Sequence, residues 1–286
     1  MRYISSRDSS ALVSASQAII QGIAPDGGLF VPEAFPKLEL QAVLDMAKEG
    51  YRALAGQVIR PYLDEFSDAQ IDAIVEGAYA KGFDSPDKAP VTRLEDSRYV
   101  LELWHGPTLA FKDMALQMLP HLMQASLRQL EEKHQILILV ATSGDTGKAA
   151  LEGFTDVEDI GIGVFYPHGG VSRAQELQMV THQGGNVFVA SIQGNFDDTQ
   201  TAVKRVFGDT AYAEMLKSRG VKLSSANSIN WGRLLPQIVY YFWAYAKLVQ
   251  DGLAAGEPVN FVVPTGNFGN ILAGYYAKKM GLPVGK

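Results

Sequence analysis

The chain has 286 residues, 47 % hydrophobic and 20 % charged, enough apolar sequence to bury one large core or two ordinary ones. A net charge of −6 with no Lys/Arg run argues against a nucleic-acid partner. The absence of cysteine excludes disulfides, thiolate nucleophiles and cysteine-based zinc sites. Five scattered histidines lack metal-site spacing, and no run of about 18 apolar residues suggests a membrane span. The expectation is a cytoplasmic protein acting on a small molecule, with no metal, nucleic acid or membrane. Monomer and homodimer both stay open.

Residues 1–95, closed by the break Ser85-Pro86-Asp87-Lys88-Ala89-Pro90, read as an α-rich cap. Pro25-Asp26-Gly27-Gly28 is a turn signal, followed by a short strand over 29–32. Apolar spacing predicts helices over 40–55 and 68–81, the second capped by Asp68. From 96 to 286 strand and helix alternate. Strands are expected over 99–103, 136–140, 162–166, 186–191 and 260–263, and helices over 113–130, from about 148, and over 171–182, 197–206, 231–250 and 270–280. The continuously apolar run 136–140 suits a parallel strand buried on both faces. The implied fold is α/β: a doubly wound, mostly parallel sheet in three αβα layers, with the α-rich cap at its N-terminal side. Residues 281–286 read as the lead-in to another strand, so the expected fold continues past the given sequence.

Chemistry concentrates in three segments. Trp104-His105-Gly106-Pro107-Thr108-Leu109-Ala110-Phe111-Lys112-Asp113 places one lysine after a mostly apolar run, at a helix start. A lysine there ordinarily snorkels to water; one kept from water has a lowered pKa, and the neutral amine forms Schiff bases. Thr142-Ser143-Gly144-Asp145-Thr146-Gly147-Lys148 and Pro264-Thr265-Gly266-Asn267-Phe268-Gly269-Asn270 each follow an apolar strand and open a helix. Such turns are ready-made anion sites, although βα turns use the same residues for capping alone. Neither has the spacing of a P-loop or of a dinucleotide fingerprint. His105, beside a Gly-Pro turn, reads as a structural hydrogen-bonder rather than a catalyst.

The segment His105–Asp113 resembles the lysine segment of threonine synthases, pyridoxal-phosphate enzymes of fold type II. Residues 141–149 resemble their S-G-D-T-G-x-A loop, and 265–270 their G-N-F-G-N loop. Arg2-Tyr3-Ile4-Ser5-Ser6-Arg7, the segment 25–32 and Asn227-Ser228-Ile229-Asn230-Trp231-Gly232-Arg233 match further family signatures.

The resemblance implies that Lys112 holds pyridoxal 5'-phosphate and moves protons, with Gly266, Asn267, Phe268, Gly269 and Asn270 binding the cofactor phosphate. It implies a substrate pocket of Thr142, Ser143, Gly144, Asp145, Thr146, Asn227, Ser228, Asn230 and Arg233. The implied reaction is γ-elimination and β-addition, from O-phospho-L-homoserine and water to L-threonine and phosphate. The competing reading of Arg233, at a helix start, is a surface ion pair. The alternatives are another fold-type II lyase, such as a serine or threonine dehydratase, and a non-catalytic synthase-like binding protein. The family's partner for the pyridine nitrogen is expected beyond residue 286.

Overall fold

The computed structural model describes residues 1–10, 12–264 and 266–286. Two antiparallel strand pairs frame the N-terminal region: β1 (Tyr3–Ser5) with β2 (Phe30–Pro32), and β3 (Val91–Glu95) with β4 (Arg98–Leu101). Between them lie α1 (Ala15–Gln21), α2 (Leu40–Lys48), α3 (Tyr51–Ile59) and α4 (Asp68–Tyr79). The single helix expected over 40–55 is therefore two. The break falls at Gly50, whose φ of +107° is a conformation that glycine adopts without steric cost. Ser67, not Asp68, caps α4: its hydroxyl accepts the Gln70 N–H while the Gln70 side chain accepts the Ser67 N–H.

The helix expected over 113–130 also divides, into α5 (Asp113–Leu116) and α6 (Leu119–Gln129). Pro120 in the first turn of α6 is the cause, since it has no N–H to continue the preceding turn. The main sheet comprises β5 (Gln135–Ala141), β6 (Ile160–Pro167), β7 (Val187–Ile192) and β8 (Val221–Ser224), in the order β7-β6-β5-β8 and parallel throughout. Ile138 lies opposite Ile162 on one side and Ser224 on the other, and Ile162 opposite Val187. The remaining helices are α7 (Asp145–Phe154), α8 (Arg173–Val180), α9 (Phe196–Gly208), α10 (Thr210–Ser218), α11 (Trp231–Gln250) and α12 (Gly269–Met280).

Strand alternation assigns the two sheet faces. Ile136, Ile138 and Val140 join the main core with Ala149, Ala150, Leu151 and Phe154 of α7. Leu137, Leu139 and Ala141 face the other way, toward Val203, Val206 and Phe207 of α9. Helices thus cover both faces, which is the doubly wound α/β arrangement. β8 is not signalled by the sequence, because Val221-Lys222-Leu223-Ser224 has too short an apolar run.

The strand expected over 260–263 does not enter this sheet. Its backbone bonds go to the chain's last residues: Val259 N–H to Pro283 O (3.0 Å), Gly285 N–H to Val259 O (2.9 Å) and Phe261 N–H to Lys286 O (2.9 Å). Val262 is left 96 % exposed.

α11 is apolar nearly all round and accordingly buried along its length. Its Trp231, Tyr240 and Trp243 belong to a core that runs without a break from the cap helices to the sheet. Asn230 anchors its start. The fully buried Asn230 Oδ1 accepts the Gly232 N–H (2.8 Å), and Nδ2 donates to Ile19 O of α1 (3.0 Å) and to Ser225 O (2.8 Å). Asn230→Ala removes a helix cap and strands two buried carbonyls, an expected loss of about 2–4 kcal/mol. A urea midpoint within error of the parent would refute that role.

Candidate active site

The loop before α5 is built around a buried carboxylate. Asp113 is inaccessible to solvent, accepts the Thr108 N–H (2.8 Å) and hydroxyl (2.6 Å), and receives the Ala110 N–H at 3.5 Å. Burial raises its pKa, and these donors oppose the shift. Gly106 is required here, since a Cβ would sit 2.4 Å from Asp113 Cβ. The same anchoring holds Leu109 at φ +58°, in the left-handed region a branched side chain rarely enters. His105 closes the outer side: its ring nitrogens lie 2.7 Å from Glu102 and 2.5 Å from Asp84. Hydrogen bonds to Glu102, then Asp84, hold the imidazole above its ordinary pKa, so it serves as a clamp between two carboxylates.

Lys112 emerges from this platform only 12 % exposed, with Nζ 3.3 Å from Asp145 Oδ2 and 4.6 Å over the Phe111 ring. Burial pushes its pKa below the ordinary lysine value; Asp145 opposes that shift and the Arg233 charge adds to it. An amine so placed is biased toward the neutral, nucleophilic form.

The turn after β5 is stapled from inside. Buried Thr142 accepts the Gly144 N–H (3.0 Å) and the Gly147 N–H (2.9 Å) on its hydroxyl, which leaves that oxygen engaged with its own loop. Gly144 stands at φ +134°, and a Cβ there would lie 2.4 Å from Gln175 Cδ. Asp145 is held from both sides, by Lys112 and by the Gln175 amide nitrogen at 2.6 Å. Ser143 is exposed, and Thr146 is buried against Arg233.

A cavity of about 170 Å³ at the strand ends is lined by Thr142, Ser143 and Thr146 of that turn, by Asn227, Ser228 and Arg233, and by Asn267. Arg233, 3 % exposed, donates to Ala226 O (2.8 Å) and weakly to Thr146 Oγ1 (3.5 Å), both neutral acceptors. Burial pushes its pKa down to about 10, and no carboxylate among the described residues offsets it. A buried guanidinium left in this state is primed for an anion. It lies off the surface and forms no ion pair among the described residues. Asn227 is steadied by its Nδ2 on Ala141 O (3.1 Å), whereas Asn230 is turned away to cap α11.

The second loop is only partly joined to this cavity. Asn267 lines it; Gly266 and Phe268 are exposed beside it, and Gly269 starts α12 from a buried position. The side chain of Asn270 is engaged with the hydroxyls of Tyr240 and Tyr241, 2.5 and 2.9 Å from its Oδ1. Thr265, part of the same motif, lies outside the described residues. Lys112 does not line the cavity; its amine is turned to Asp145, which Gln175 also engages.

Sequence reasoning missed four residues near the site. Phe196, Gln200 and Lys204 line the cavity from one stripe of α9, at i, i+4 and i+8. Gln175 was legible only as the third position of a Ser-x-x-Gln capping pattern. Among the described residues no helix is long and apolar enough to cross a membrane, and no cluster of three or more His, Asp or Glu residues could hold a metal ion.

Residues 2–79 match the family model for the threonine synthase N terminus. The chain is 43 % identical to threonine synthase of Pseudomonas aeruginosa over 285 residues, which is 99 % of this chain and 58 % of that protein. Nearly the whole chain is thus similar to threonine synthases. It is also 42 % identical to human threonine synthase-like 1, covering 40 % of that protein. Among solved structures, the pyridoxal-phosphate-bound threonine synthase of Brucella melitensis superposes with a TM-score of 0.88 at 41 % identity, over 99 % of this chain and 59 % of its own. The chain thus spans about half the length of these relatives, and over that span it has the fold-type II architecture of the threonine synthase family.

Proposed function

We propose that this chain carries the lysine-bearing part of a threonine synthase, acting with pyridoxal 5'-phosphate on O-phospho-L-homoserine and water to give L-threonine and phosphate. The observation that carries the reading is the pairing of a desolvated amine, Lys112, with a buried guanidinium, Arg233, that meets no carboxylate among the described residues. A cytoplasmic setting and a division into a cap, 1–95, and a catalytic region, 96–286, complete it.

The residues present fit the cofactor. Lys112 supplies an amine biased toward neutrality, and the start of α12 offers backbone N–H groups beside Gly266, where no atom lies within 4 Å of a built Cβ. Bound there, the cofactor supplies an electron sink for the charge that develops when the substrate loses its α-proton.

The chain's own residues supply the rest. Lys112 Nζ, once free, takes the proton from the substrate's Cα and then serves the proton at Cβ. Asp145 orients the amine, since its Oδ2 is the acceptor nearest Nζ. Arg233, Ser143, Asn227, Ser228 and Asn267 place donors around an anionic substrate group, and those donors stabilise phosphate as its bond to Cγ breaks.

The test is phosphate release from O-phosphohomoserine with pyridoxal phosphate present, by this chain and by a version extended to the length of its relatives. Release by either supports the reading. Release by neither, with ketoacid formed from serine or threonine, would replace it with a dehydratase.

A further inference from the structure

Asp145 cannot serve Lys112 well if left to itself. A carboxylate 52 % exposed on a turn is free to close fully on a nearby ammonium, and a tight ion pair would hold the amine protonated. Its observed position is a compromise: Oδ2 stands 3.3 Å from Lys112 Nζ, while Oδ1 takes a closer bond, 2.6 Å, from Gln175 Nε2. We infer that Gln175 is a positioning residue, whose side-chain amide holds Asp145 back from Lys112.

Three features of the fold support this assignment. First, the orientation of the Gln175 amide is set from behind. Its Oε1 accepts the Ser172 N–H (3.2 Å) and hydroxyl (3.1 Å) in the capping box that starts α8, so the nitrogen end points at Asp145. Second, the backbone makes room for it: only a glycine at 144 lets the amide approach, and Met179 of α8 packs where a Cβ at Gly147 would lie, 2.6 Å from its sulfur. Third, the two other Ser-x-x-Gln boxes, Ser14–Gln17 and Ser67–Gln70, spend no amide nitrogen on a carboxylate among the described residues. Capping alone does not require what Gln175 does. The charged groups acting on Lys112 are Asp145, Asp113 and Arg233, and Gln175 touches the one that is free to move.

The inference rests on the proposed role of Lys112, and its test is independent of turnover. Gln175→Glu keeps the capping box, because glutamate is as good as glutamine at that position, but replaces the N–H donor facing Asp145 with a carboxylate oxygen. Gln175→Leu removes donor and cap together. In each variant, without cofactor, Lys112 is acylated competitively across a pH series and quantified by mass spectrometry, with Lys247 as the internal reference. Both substitutions are expected to raise the Lys112 titration midpoint by about one unit, which is roughly tenfold slower labelling near neutral pH, with Lys247 unchanged. Labelling of Gln175→Leu, which adds no charge of its own, at the parental rate would overturn the positioning role and leave Gln175 a helix cap. A shifted Lys112 in a chain that releases no phosphate would keep the positioning role and sink the assigned reaction instead. A parent that turns over while Gln175→Glu is silent in both measurements would do the reverse.

Discussion

Lys112→Ala is expected to abolish the long-wavelength absorbance of lysine-bound pyridoxal phosphate and to lower phosphate release by at least about 10²–10⁴-fold, the range set by loss of a positioned proton-transfer group. The argument is local. Lys112 is 12 % exposed, and the acceptor and ring around it, Asp145 and Phe111, come from a turn stapled by Thr142 and a loop anchored by Asp113. None of that framework depends on the amine, so the variant should fold like the parent. A small primary amine added to the medium should restore part of the activity, because removal of the lysine side chain leaves room for it beside Asp145. Persistence of the absorbance band in Lys112→Ala would show that another amine holds the cofactor.

The second large effect separates stability from function at Arg233. The guanidinium is 3 % exposed and, among the described residues, bonded to the Ala226 carbonyl and, weakly, to Thr146. Burying a charge without a counter-charge is costly, and replacing such an ion with an apolar side chain of similar volume is often stabilising. Arg233→Met should therefore raise the unfolding free energy by about 1–2 kcal/mol, even after the loss of its bond to Ala226. The same change should reduce kcat/KM for O-phosphohomoserine by roughly 10²–10³-fold, since it removes the buried charge that would meet the substrate's anion. Arg233→Lys should fall between, because a point charge replaces a two-pronged donor. Urea unfolding and initial rates on the same preparations decide the matter. A variant that is both less stable and less active would make Arg233 a structural residue.

Element type was largely legible in the residues, and the errors have physical causes. The 40–55 and 113–130 patterns predict single helices because apolar spacing continues across Gly50 and Pro120, whereas the backbone does not. The 260–263 run predicts a sheet strand because it is apolar; its partner is instead the 283–286 segment, a pairing that spacing along the chain does not encode. Side-chain direction was less legible still. Thr142, Asn230 and Asn270 sit within the motifs expected to bind substrate or cofactor, and each has a side-chain oxygen engaged by its own loop, by a helix cap or by tyrosines. Lys204 and Gln200 reach the cavity from a helix some sixty residues beyond the Thr142 turn.

The order of residues alone fixes the α/β alternation, the two glycine-bearing turns at strand ends and the placing of Lys112 at a helix start, because these follow from hydrophobic period and backbone freedom over a few residues. Folding in three dimensions decided which charges meet. Lys112 and Asp145 are 33 positions apart, Asp145 and Gln175 are 30 apart, and Thr146 and Arg233 are 87 apart. Such contacts depend on sheet order and helix docking, and local sequence carries no record of either.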